Sequence, residues 1–109
     1  MANEYVLGTS VTIRLVLKDA DDVFVDPFKI TMVIAQGKGN FVTKHYTTEV
    51  QDLNRVSQGI YELDFLTAVA AVHTVTSLIK SKNGSQDTKI SQFLVIGIDE
   101  QARKELRKL

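Results

Sequence analysis

Most of this chain is written in period two. From Val11 to Lys18, Val11, Ile13, Leu15 and Leu17 alternate with Thr12, Arg14, Val16 and Lys18. Successive side chains of an extended chain point to opposite faces, so this alternation, rich in β-branched residues, predicts a half-buried strand. The same arithmetic places Ile30, Met32 and Ile34 on one face of a strand within 24–36, and Tyr61, Leu63 and Phe65 on one face of a strand over 59–65. Over 72–80 it groups His73, Val75, Ser77 and Ile79. Asn83-Gly84 is a hairpin signal, after which KISQFLVIG (89–97) pairs back antiparallel. NFVTKHYTTEV (40–50) alternates with mixed polarity and predicts an edge or surface strand, and EYVL before Gly8 predicts a short edge strand. Residues 68–72 stay open between helix and loop, because alanine favours one and the Val-Thr-Ile run that follows favours a strand.

Turn signals separate these segments at short intervals. DADD (19–22) and GKGN (37–40) are turns, and the only proline, Pro27, stands at the start of the 24–36 strand, where a missing N–H costs least. About seven short strands in roughly a hundred residues predict an all-β fold, an antiparallel Ig-like β-sandwich spanning residues 1–97.

The period changes at Gly97. In IDEQARKELRKL (98–109), Ile98, Ala102, Leu106 and Leu109 recur at helical spacing and form one apolar stripe. Asp99 can cap the N-terminus, Glu100 and Gln101 occupy the first turn, and Arg107 and Lys108 the last, a charge order that suits the helix dipole. A short amphipathic α-helix is therefore expected as a C-terminal tail over 98–109. A helix of about ten residues is marginal in water and must dock to be stable. It can dock on its own sandwich or on a neighbouring subunit, and in the second case Ile98, Ala102, Leu106 and Leu109 are the partner contacts.

Composition removes several classes. Thirteen basic and thirteen acidic residues balance, against the basic excess expected of a nucleic-acid binder. The chain has no cysteine, which excludes disulfides and thiolate metal sites. No apolar run approaches the roughly 18 residues of a membrane span. MANEYVLGTS has neither a basic nor an apolar leader region, so the expectation is a protein made in the cytoplasm and acting there or within an assembly.

Candidate chemistry is sparse. Asp19, Asp21, Asp22 and Asp26 form an acidic cluster, but it lacks the glycine of a calcium loop, and Ile30 stands where the bidentate glutamate would fall, so a solvated turn is the expectation. His45 and His73 have no companion ligands at metal spacing, and His73 is expected as a hydrogen-bonded core residue. Gly37-Lys38-Gly39 precedes a strand, whereas a phosphate loop opens a helix. Lys44-His45-Tyr46 is too short for a base-stacking platform. No nucleophile elbow or triad spacing is present, so no enzyme is expected and no cofactor is implied.

The order of signals resembles the Ig-like or fibronectin-III-like β-sandwich domains of tailed-bacteriophage structural proteins. The residues that carry it are the strand after Gly8-Thr9, the acidic turn, Val25-Asp26-Pro27, Gly59-Ile60-Tyr61 and the Asn83-Gly84 hairpin. The chain departs where the family commonly has Gly-x-Tyr and this sequence has Ala71-Val72-His73, and it lacks the cysteine pair and tryptophan of antibody domains. The resemblance implies a non-enzymatic virion protein (decoration, head–tail or tail-associated) whose partners are other virion proteins or copies of itself. Similar domains occur in bacterial surface proteins, so an adhesion or carbohydrate-binding module is the alternative, and an enzyme accessory domain a third.

Overall fold

In the strands placed by alternation, the apolar phase is the buried one. Val11, Ile13, Leu15 and Leu17 are buried, as are Ile30, Met32, Ile34, Tyr61, Leu63, Phe65, Val75 and Ile79. The computed structural model describes residues 3–99, 105 and 106. Its strands are β1 (Asn3–Val6), β2 (Ser10–Val16), β3 (Lys29–Gln36), β4 (Phe41–Tyr46), β5 (Asn54–Ser57), β6 (Ile60–Leu66), β7 (Val72–Lys80) and β8 (Gln86–Ile96). They form a five-stranded sheet, β1-β8-β7-β3-β4, and a three-stranded sheet, β2-β6-β5. Neighbours are antiparallel except β1 and β8, which run parallel from Asn3↔Phe93 to Val6↔Ile96.

The inner faces of the two sheets share one sandwich-like core. Val11, Ile13, Leu15, Tyr61, Leu63 and Phe65 meet Ile30, Met32, Ile34, Val75, Phe93 and Val95. Burying one such large apolar side chain stabilises by about 1.5–3 kcal/mol. A slip of one residue would turn a whole set outward, so register is strongly specified.

Several expectations need correction. Among the described residues there are eight strands rather than about seven, because β5 also forms. Its four residues are all exposed and carry no apolar alternation to reveal them. β4 ends at Tyr46 rather than near 50, because Thr47 turns the chain: its Oγ1 accepts from the amides of Glu49 and Val50. β3 begins at Lys29, so Pro27 lies just before the strand. β8 begins at Gln86 rather than 89. A five-residue turn, 81–85, closes through Ser81 N–H to Ser85 O at 2.8 Å, with Gly84 at φ 92°. Residues 68–71, which the sequence left open between helix and loop, are loop, and Val72 begins β7. Thr67 is buried just before this loop, its hydroxyl donating to Thr9 O (2.8 Å) and accepting from Gly8 N–H (3.0 Å), which ties the end of β6 to the β1–β2 turn.

The expected C-terminal helix is not among the described elements. Ile98, Asp99, Glu105 and Leu106 have helical backbone, while 100–104 and 107–109 lie outside the described residues. No helix among the described residues is long and apolar enough to cross a membrane.

Candidate functional site

A highly connected polar group among the described residues is Asp26. It belongs to the strand-free segment before β3, and its carboxylate gathers donors from three places. Arg55 on β5 donates from Nε (3.2 Å) and Nη2 (2.8 Å). Gly59, in the β5–β6 turn, donates its backbone N–H at 2.9 Å. Tyr61 on β6 donates its hydroxyl, also at 2.9 Å. The Arg55 hydrogen bond, then that of Gly59, hold the Asp26 carboxyl well below its ordinary value. Burial, then the adjoining carboxylate, push the Tyr61 hydroxyl well above its own.

The local chain explains why the cluster forms. Gly59 has φ 74°, a left-handed conformation, and an added Cβ would stand 2.6 Å from Leu17 O. Glycine therefore brings the turn against β2, and its N–H then faces Asp26. Asp26 was expected as part of the acidic turn. It is instead separate from that turn and serves as a clip between two distant segments. Both segments it joins, Val25-Asp26-Pro27 and Gly59-Ile60-Tyr61, stand out in the sequence, but nothing there reports that they meet.

The other polar candidates are accounted for locally. Asp19 Oδ1 accepts from the amides of Asp21 (2.9 Å) and Val23 (3.0 Å), so this carboxylate shapes its own turn. Gly37 and Gly39 both adopt positive φ in the β3–β4 hairpin. Tyr46 packs against Tyr61 with ring centroids 4.8 Å apart, which turns it toward the core and onto the face opposite His45. His73 is fully buried, 4.8 Å from the Phe93 ring in a stacked arrangement. Its Nδ1 lies 3.0 Å from Ala71 O, a carbonyl that can only accept, so Nδ1 carries the proton. Nε2 is left buried without a partner. Among the described residues no group of three or more His, Cys, Asp or Glu is arranged to hold a metal ion.

A cleft of about 360 Å³ opens between the sheets at the end where the β2–β3 loop meets the β7–β8 hairpin. Lys18, Asp19, Asp26, Lys82, Asp87 and Lys89 line it, with both signs mixed. Asp19 is engaged by the amides of Asp21 and Val23, and Asp26 by Arg55, Gly59 and Tyr61, so both carboxylates already hold donors from the protein.

Of the expected tail contacts, Ile98 and Leu106 are described, and each is 67 % exposed. Ala102 and Leu109 lie outside the described residues. Phe24, Phe28 and Phe41 are exposed aromatics. Phe28 precedes β3, and Phe41 pairs with Ala35 at its far end, which puts them roughly 20 Å apart at the strand rise of 3.3 Å per residue.

No family model matches this chain, and no curated protein matches it. A solved structure is similar: CopC from Methylosinus trichosporium OB3b, at a TM-score of 0.61, covers 90 % of this chain and 87 % of its own length. The likeness is one of fold. At 15 % identity it extends to the arrangement of strands and to nothing chemical.

Proposed function

We propose that this chain is a non-enzymatic structural or accessory component of a tailed-phage particle, an Ig-like sandwich that docks onto a larger assembly through its C-terminal amphipath. The observation that carries the reading is the contrast between a finished core and the apolar side chains beyond it. Among the described residues the core cluster takes no member after Val95 and burial ends at Ile96, while Ile98 and Leu106 are mostly exposed. Such a stripe gains free energy by entering an apolar groove on a partner, as amphipathic helices commonly do. The partner expected is a virion protein presenting that groove, and repetition around a ring or lattice would multiply weak single contacts. The resemblance to phage domains supports the particle setting. Its two most distinctive segments, Val25-Asp26-Pro27 and Gly59-Ile60-Tyr61, are joined by the hydrogen bonds of Asp26, which gives the shared pattern a physical reason.

Purified particles test this. Deleting 98–109, or substituting Ile98→Asp with Leu106→Asp, is expected to leave a folded sandwich that no longer co-sediments with particles. Normal incorporation of either variant would remove the tail as the handle. Neighbouring genes for capsid, portal or tail proteins would support the particle setting independently. Competable binding on a glycan array would favour an adhesion module instead.

A further inference from the structure

We propose that the N-terminal half of β8 is a pairing edge for a second copy of this chain. β1 covers β8 only from Phe93 to Ile96. Residues Gln86–Gln92 pair with β7 on one side and, among the described residues, have no strand on the other. The hydrogen-bonding phase of that open side can be read from its neighbours. Val95 N–H bonds to Ala71 O at 3.0 Å, so odd-numbered residues of β8 face β7. Ile96 O accepts from Leu7 N–H at 2.8 Å, so even-numbered residues face outward. Gln86, Thr88 and Ile90 therefore present backbone donors and acceptors along the free edge, with the Thr88 amide resting on Asp87 Oδ1 at 2.9 Å.

An exposed edge is a template for antiparallel pairing. Across a two-fold axis, outward residues must face outward residues, which allows only a few registers. With Lys89 opposite Lys89, like charges meet. With Thr88 opposite Thr88 and Gln86 opposite Ile90, Asp87 of each copy lies directly across from Lys89 of the other. That pair is non-hydrogen-bonded, the arrangement in which side chains come closest. This register joins the copies through backbone bonds at Gln86, Thr88 and Ile90 and through two Asp–Lys pairs. It covers Ile90, which is 67 % exposed, and stops short of Phe93, where β1 begins. β2 is also an edge strand, but Ser10–Val16 contains no acid, so pairing it with itself forms no ion pair. The proposal is independent of the tail and of the particle setting.

Sedimentation equilibrium of the full chain at concentrations up to about 100 µM tests it, since a short edge contact is expected to associate weakly. The wild type is expected to dimerise. Asp87→Lys or Lys89→Asp alone replaces both attractions with repulsions and is expected to raise Kd about tenfold. The double exchange, Asp87→Lys with Lys89→Asp, restores the opposite charges and is expected to return Kd to within about threefold of wild type. Thr88→Pro removes an outward N–H while leaving the β7 ladder intact, so it is expected to give a folded monomer. A monomeric wild type, a dimer indifferent to the single reversals, or a double exchange that fails to recover would overturn the proposal. So would a folded Thr88→Pro dimer of unchanged affinity.

Discussion

Asp26 accepts hydrogen bonds from Arg55, Gly59 and Tyr61, so one side chain connects the approach to β3 with β5, β6 and the turn between them. Removing it leaves the buried Tyr61 hydroxyl and the Gly59 amide short of a partner. Asp26→Ala is expected to destabilise by about 2–4 kcal/mol, measured by urea denaturation at neutral pH. The pH dependence follows from the depressed carboxyl. Its stabilising contribution is complete above the ordinary value of 3.8 and is lost as pH falls below it toward the lower folded value. Wild-type stability should therefore fall between about pH 5 and pH 2, and Asp26→Asn should flatten much of that fall. His73 gives the opposite prediction. Its Nε2 is buried without a partner, while Ala71 O, which its Nδ1 serves, also accepts from Val95 N–H. His73→Phe keeps a ring against Phe93, removes the unsatisfied Nε2 and gives up one bond to a carbonyl that keeps its Val95 donor, so it is expected to stabilise by about 1 kcal/mol in the same assay.

At the scale of elements, the turns decide more than the strands do. Gly59→Ala would force a side chain into left-handed backbone and onto Leu17 O, and is expected to cost more than about 2 kcal/mol, with the thermal midpoint as the measure. What was legible in the sequence follows the same division. β2, β3, β6 and β7 were legible because half of each faces the core, so burial imprints an alternation. β5 was not, because it is short, exposed on every residue and interrupted by an irregularity between Arg55 and Ser57. The loop at 68–71 was ambiguous because its alanines favour helix, while a tertiary contact, the Thr67 hydroxyl on Thr9 O, decides its shape. The site shows the same limit. Asp26 sits among other aspartates in the sequence, and nothing local reports that Arg55 and Tyr61 arrive beside it from about thirty residues away.

For the whole molecule, the core closes between two sheets with no contribution after Ile96 among the described residues. Deleting 98–109 is therefore expected to change unfolding free energy by less than about 1 kcal/mol, even where it abolishes docking. Equilibrium denaturation of the truncated chain would check this, and a larger loss would mean that the tail packs on its own sandwich. The parallel pairing of β1 with β8 has a mechanical consequence. Because Asn3 lies beside Phe93 and Val6 beside Ile96, tension applied between residues 3 and 96 pulls these two strands lengthwise in opposite directions. Their rungs are strained together in shear rather than peeled apart in turn, so the sandwich should resist stretching along that line better than its short first strand suggests.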